Sequence, residues 1–264
     1  VSNTKSNRRT TIQSVDRAAR ILKLLANGSR GLGVSEIADR LGLARPTVHG
    51  LLQTLMAHGF VEQPRGSDKY RPSVTLLQLG YSYLDVSELR ARSLAHAERL
   101  AQEADAAVRV GIMHGRSVVV IHHVFRPDTT LQILEVGAHV PAHASALGKA
   151  MLAFFDTEEL EGFLSEPLEK LTGRTPTAGR LRTELATVRE EGYARERDDA
   201  ILGEASIAAP IFDHTTEVVG AIGIVGESSR FGDAHAAARV ATTVMEAARN
   251  ISRELGAARW PARS

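Results

Sequence analysis

Apolar residues recur at Val15, Ala18, Ala19, Leu22, Leu25 and Ala26, the 3.6-residue period of a helix that buries one face. Ser14 stands at the N-cap position, and Asn27-Gly28-Ser29 is the stop signal. Ser35 opens a short helix carrying Ile37, Ala38 and Leu41 inward. Gly42 suits a tight turn with positive φ, and Pro46 suits the first turn of a further helix. That helix turns Val48, Leu51, Leu52, Leu55 and Met56 inward. Its outer side carries Pro46, Gly50 and Gln53, flanked by Thr47, His49 and Thr54. Phe60–Gln63 and Lys69–Arg71 then predict two short strands around the turn-forming run Pro64-Arg65-Gly66-Ser67-Asp68.

Residues 73–85 are apolar around most of a helix (Val74, Leu76, Leu77, Leu79, Tyr81, Tyr83, Leu84), so this helix needs cover on more than one side. Either the chain's own domains or a second copy would supply it. Ser87 caps the next helix, which runs to about Glu103. From residue 106 the period falls to two. Strands are predicted around Val108–Ile112, Ser117–Phe125, Leu131–Val136, Tyr193–Arg197, Ser206–Phe212 and Val218–Val225. Helices are expected at Ser145–Phe154, after the capping pair Asp156 and Glu159, around Leu181, Leu185 and Val188, and from Asp233 with Val240, Val244, Ala248, Ile251 and Leu255 inward. The expected organisation is a disordered tail (1–11), a first domain (12–72), a linker helix (73–86), an α+β domain with an antiparallel sheet (87–256) and a frayed end (257–264).

Composition changes this picture in one respect. The 264 residues carry a net charge of only +1, yet residues 1–72 hold 12 basic against 5 acidic side chains and residues 73–264 hold 20 against 26. A basic head on an acidic body fits a polyanion-binding module joined to a domain of another kind. Two short helices about a glycine turn, the second with a slim polar outer face, form a helix-turn-helix, and the basic hairpin behind them forms a wing. Arg45, Pro46, Thr47, His49, Gly50, Gln53 and Thr54 are the candidate groove-facing residues, and Arg65, Lys69 and Arg71 the candidate phosphate contacts.

Other chemistry is sparse. The absence of cysteine excludes disulfides, thiolate zinc sites and cysteine nucleophiles. No apolar run reaches the length of a membrane helix, and the polar start lacks the apolar core of a signal peptide, so a cytoplasmic protein without membrane contact is expected. His139 and His143 have i,i+4 spacing, but Pro141 between them opposes a helix, and no metal is expected. Ala144-Ser145-Ala146 lacks the glycines of a nucleophile elbow, and Gly148-Lys149 lacks the remainder of a phosphate-binding loop. No enzyme activity and no cofactor are therefore expected. One further candidate is the helix opened by Ser145. Its first amides, on Ala146, Leu147 and Gly148, lack intrahelical partners, and small neighbours such as Ala142 leave room for an anionic ligand.

Taken together, these stretches resemble the IclR-type transcriptional regulators. Ser14-Val15-Asp16-Arg17-Ala18, the run from Ser35-Glu36-Ile37-Ala38 to Leu55, and Gly59-Phe60-Val61-Glu62 resemble the family's DNA-binding half. His143-Ala144-Ser145-Ala146-Leu147-Gly148-Lys149-Ala150, Gly192-Tyr193-Ala194, Ala208-Ala209-Pro210-Ile211 and Gly220-Ala221-Ile222 resemble its effector-binding half. The resemblance implies a winged helix-turn-helix, a dimerising linker helix, and a GAF/profilin-like domain that binds a small metabolite. It implies a homodimer, or a dimer of dimers, on double-stranded palindromic operator DNA of a catabolic or metabolic operon. A small organic acid or related metabolite would modulate that binding as effector. Glu196, Ser206, Gly223 and Val225 join Ala142, Ser145, Ala146, Leu147 and Gly148 as implied effector-binding residues. This chain departs from the family with Gly50 for a usual Arg, Pro72-Ser73 for Leu-Gly, Glu196 for Asp, Ser206 for Cys, and Gly223 and Val225 for two Ser. The alternatives are a small-molecule enzyme with a winged-helix accessory domain, or a protein-binding sensor that does not meet DNA.

Overall fold

The computed structural model describes residues 12–26, 31–85, 87–128, 132–231 and 234–260. The chain divides into two compact units, Val1–Val86 and Ser87–Ser264. The expected disordered tail (1–11), the helix stop at Asn27–Ser29 and the helix start at Asp233 lie outside the described residues.

In the first unit, helices α1 (Gln13–Ala26), α2 (Val34–Leu41) and α3 (Arg45–Ala57) pack around Ile21, Leu25, Ile37, Val48, Leu52 and Leu55. A three-stranded antiparallel sheet closes them, in the order β1 (Leu32–Gly33), β3 (Lys69–Pro72), β2 (Val61–Glu62), with Leu32 opposite Tyr70 and Glu62 opposite Arg71. Strand β1 has no period to announce it, because two residues cannot show alternation. Two expected caps move. Ser14 lies inside α1, where Val15 and Asp16 donate to the Ile12 carbonyl, and Ser35 lies inside α2, which Gly33 caps. Glu36 reaches back to accept the Gly33 N–H at 2.8 Å, so a glycine with no side chain still has a satisfied amide. The buried stripe of α1 also rotates: Ile21 is buried while Val15 and Ala19 are exposed.

Behind the wing, the Ser73 hydroxyl donates to the Gly59 carbonyl and accepts the Thr75 N–H, which starts helix α4 (Val74–Asp85). The apolar side chains Val74, Leu77, Leu79 and Tyr83 on α4 are all more than half exposed.

The second unit is a six-stranded antiparallel sheet in the order β6-β5-β4-β9-β8-β7. Its strands are β4 (Ala107–His114), β5 (Ser117–Val124), β6 (His139–Pro141), β7 (Ala194–Arg197), β8 (Glu204–Phe212) and β9 (Val218–Glu227). One face packs on α5 (Glu88–Ala104) and α9 (Ala234–Glu254), the other on α6 (Ala146–Leu152), with α8 (Ala178–Glu191) against α6 and β7. Ser87 caps α5 as expected, and Asp156 with Glu159 forms the expected capping box on α7 (Thr157–Leu164).

Two expectations fail here. The strand expected at Leu131–Val136 is absent over its described part; Ile133 and Leu134 point into solvent, and the strand paired with β5 is His139–Pro141. An apolar run carries no strand unless a neighbour offers it an edge. Residues 257–260, part of the end expected to fray (257–264), are docked through Trp260. The Trp260 ring meets Phe212 edge-on at 5.4 Å, Arg249 lies over it, and the Ala257 N–H donates to Ser252 O at 2.9 Å. Residues 261–264 lie outside the described part.

Candidate nucleic-acid interface and ligand cleft

Helix α3 is positioned by what it buries. Val48, Leu52 and Leu55 are fixed in the first unit's core, so the opposite side of the helix faces water. Gly42, at φ 65°, makes the turn from α2, and its N–H donates to Ala38 O. Pro46 lies in the first turn of α3, where its missing N–H costs no hydrogen bond. The structure leaves Arg45, Pro46, His49, Gly50, Gln53 and Thr54 exposed, with Thr47 half-buried. The side chains of Arg45, His49 and Gln53 make no hydrogen bond or ion pair among the described residues. The Thr54 hydroxyl is turned back onto Gly50 O at 3.0 Å.

The three wing cations are not equivalent. Gly66, at φ 74°, forms the hairpin turn, which Gln63 braces by donating to Ser67 O at 2.9 Å. Arg71 pairs with Glu62 at 2.6 Å, and Lys69 stands 4.0 Å from Glu36. The Glu36 carboxyl is held below the usual carboxylate range, first by the Gly33 N–H and then by Lys69. Arg65 has no charged partner among the described residues.

In the second unit, the residues expected around Ser145 separate into different roles. Ser145 caps α6 and accepts the Gly148 N–H at 3.2 Å. One of the amides expected to await an anion is therefore already satisfied. Ala142, Ala146, Leu147 and Gly148 are buried in the core. The small residues there let two stretches of backbone come close: a Cβ at Gly148 would lie 2.2 Å from Ala142 O. Val225 is buried as well, and a Cβ at Gly223 would meet the Ala208 Cβ at 2.6 Å.

Glu196 and Ser206 come together elsewhere. They are cross-strand neighbours on β7 and β8, so they share one sheet face, and the Ser206 hydroxyl donates to Glu196 Oε2 at 2.8 Å. Both line a cleft of about 630 Å³ between that sheet edge and α8. The cleft also holds residues that sequence reasoning did not select for it. From α6, Lys149, 1% exposed, reaches Asp199 at 2.5 Å and Glu184 of α8 at 2.7 Å. Arg180 pairs with Glu184 at 2.6 Å, and Arg174 lies 3.4 Å from Asp198. The Asp199 N–H donates to Glu196 Oε1 at 2.8 Å. Burial pushes the Glu196 carboxyl up to about 7, against the opposing pull of the Asp199 N–H and the Ser206 hydroxyl. The available signal was the pairing of a lysine inside an apolar helix with a later Asp-Asp step, which only folding brings together.

No cluster of three metal-ligating side chains occurs among the described residues, and no helix among them is long and apolar enough to cross a membrane.

The sequence profile of the IclR helix-turn-helix domain matches residues 14–65, and that of the bacterial transcriptional regulator IclR C-terminal domain matches residues 81–253. The chain belongs to the IclR family of transcriptional regulators. It is 45% identical to a protein named glycerol operon regulatory protein from Streptomyces griseus, over 94% of this chain and 98% of that one. It is 43% identical to the protein of the same name from Streptomyces coelicolor, with the same coverage. Among solved structures, the IclR transcriptional regulator of Alicyclobacillus acidocaldarius superposes with a TM-score of 0.80 at 27% identity, covering 92% of this chain and 98% of that chain. Like other members of the IclR family, the chain is a DNA-binding transcriptional regulator: an N-terminal helix-turn-helix unit precedes an α+β unit with an antiparallel sheet.

Proposed function

We propose that two copies of the chain present two α3 helices to successive half-sites of an approximately palindromic operator, and that a small metabolite held by the second unit changes the affinity. The observation that carries the operator reading is the outer side of α3, where Arg45, His49 and Gln53 stand exposed with no partner of their own. Arg65, Lys69 and Arg71 contact flanking phosphates. Dimerisation is supported by α4, whose Val74, Leu77, Leu79 and Tyr83 need apolar cover. The half-sites then lie about one helical turn apart, roughly 34 Å.

The effector cleft is the one lined by Glu196 and Ser206. Its lining sets the carboxyl groups of Glu184, Glu196 and Asp199 beside Lys149 and four arginines, Arg174, Arg180, Arg195 and Arg197, so it offers both acceptors and cationic donors to a ligand. Hydroxyl groups of a polyol-derived metabolite find acceptors there, and the carboxylate of a small organic acid finds guanidinium donors. The names of the two Streptomyces relatives favour a glycerol operon as the target. The protein works in the cytoplasm and has no catalytic step of its own.

The test is a gel shift with the DNA upstream of the gene and of its neighbouring operon, at several salt concentrations, with and without polyols, polyol phosphates and small acids. Specific retardation that one of these compounds relieves or strengthens is the expected result. Indifference to every fragment at low salt, or turnover of a metabolite, would overturn the reading.

A further inference from the structure

Gly50 is unexplained by the packing of its own domain. It lies in the interior of a 13-residue helix, on the exposed side, and a Cβ added there would meet nothing within 4 Å. Its φ is not positive, so the backbone does not require glycine. Glycine is the worst helix former after proline, and here neither fold nor turn needs it. The neighbours of Gly50 on the helix surface are Pro46, four residues before, and Thr54, four residues after. Both are exposed. The Thr54 hydroxyl donates to Gly50 O at 3.0 Å, so its hydrogen is committed to the helix backbone and not to an outside partner. Pro46, Gly50 and Thr54 thus make a strip of short side chains along α3, whose one hydroxyl is bonded to the helix backbone. Beside it stand the longer hydrogen-bonding side chains Arg45, His49 and Gln53.

We propose that Gly50 sets the depth at which α3 enters the major groove, and that the strip it forms with Pro46 and Thr54 receives the C5-methyl group of a thymine. On its major-groove edge thymine carries that methyl beside a single acceptor, and apolar protein surface is what matches it. At position 50 the open space where a Cβ would stand leaves room for the methyl against the helix. The same strip brings the helix backbone close enough for Gln53 and His49 to reach base edges. Any side chain at position 50 would occupy the space of the methyl and lift the helix. Gly50 is therefore a specificity-determining residue, and it acts through what it lacks.

The experiment uses the full chain, wild type and Gly50→Ala, with the highest-affinity duplex that selection from fragmented genomic DNA returns for the wild type. Thermal unfolding and gel shift are measured on both proteins. Gly50→Ala is expected to raise the melting temperature by roughly 2–4 °C, because alanine is the better helix former and meets no obstacle. It is expected to lower affinity for the selected duplex about tenfold, while binding to unrelated DNA at low salt is unchanged. Each thymine of the half-site is then replaced in turn by uracil, which removes only the methyl. One position should weaken the wild type several-fold and leave Gly50→Ala indifferent. Equal operator affinity for the two proteins would overturn the proposal, as would a uracil series in which no position separates them. A lowered melting temperature in Gly50→Ala would also overturn it, by showing that the glycine serves packing. Failure of the wild type to bind any duplex is a different result, which strikes at the operator reading itself.

Discussion

Replacing Glu196 by Gln removes a charge without removing a hydrogen bond. The amide oxygen can accept the Asp199 N–H as Oε1 does now at 2.8 Å, and the amide nitrogen can donate to Ser206, whose hydroxyl rotates to accept. What changes is the response to pH. Burial raises the carboxyl from 4.5 to about 7, so the folded state holds a proton that the unfolded chain releases earlier. The sign follows directly. Below about pH 4.5 both states are protonated and the carboxyl carries no penalty; as pH rises from there through 7 the folded state loses stability relative to the unfolded one, and above that the loss is constant. A shift from 4.5 to about 7 amounts to roughly 3 kcal/mol in full, of which about 2.5 kcal/mol accrues between pH 5 and pH 8. Other groups titrate in the same window. Glu204 is raised by burial and acts in the same direction, while burial lowers His122, His123 and His143, which act in the opposite one. The quantity to measure is therefore the difference between the two proteins. Urea unfolding of wild type and Glu196→Gln at pH 5, 6, 7 and 8 should show the variant gaining on the wild type by about 2–3 kcal/mol across the series. Parallel stability curves would refute the reasoning, since they would mean that Glu196 ionises as freely in the fold as outside it.

Lys149→Met leaves Asp199 buried without its lysine and should cost about 3–5 kcal/mol in urea unfolding, much of it recovered in Lys149→Met/Asp199→Asn. A loss no greater in the single variant than in the double would show that the pair does not act as a unit. Gly148→Ala pushes a methyl into the Ala142 carbonyl and should lower stability by about 1–3 kcal/mol, read as a fall in melting temperature; an unchanged value would show that the loop can yield. Arg65→Ala should weaken binding to all DNA sequences and reduce the slope of log affinity against log salt by about one, whereas Arg71→Ala should change it less, because Glu62 already neutralises that side chain. Equal effects of the two substitutions would show that the Glu62 pair opens on DNA.

Periodicity alone made most of the first unit legible. Three helices, a glycine turn, a basic hairpin and the exposed set on α3 all follow from which positions are apolar, because a helix that buries Val48, Leu52 and Leu55 has no choice about its other side. Charge asymmetry then separated the two halves, and the capping pair of Asp156 with Glu159 marked a helix start to the residue. Errors fell where local signals compete with neighbours. Ser14 and Ser35 are good caps in isolation, but the helices begin earlier because the Ile12 carbonyl and the Glu36 carboxylate satisfy the first amides.

The ligand cleft illustrates the opposite case. A row of small residues reads the same whether the vacant space is meant for a metabolite or for a passing backbone, and at Gly148 it is filled by Ala142. Lys149, Glu184 and Glu196 lie on α6, α8 and β7 and Asp199 in the bend after β7; the buried ammonium of Lys149 draws in Glu184 and Asp199 as counter-charges, and the Asp199 N–H brings in Glu196. Likewise, Ile133 and Leu134 promised a strand that no sheet edge was there to accept, and Trp260 lies against Phe212 only because β8 holds that ring in place. Sequence determines the faces of elements, since those depend on the nearest few residues. Tertiary structure decides which distant groups share a site, since burial and pairing are properties of the folded surroundings.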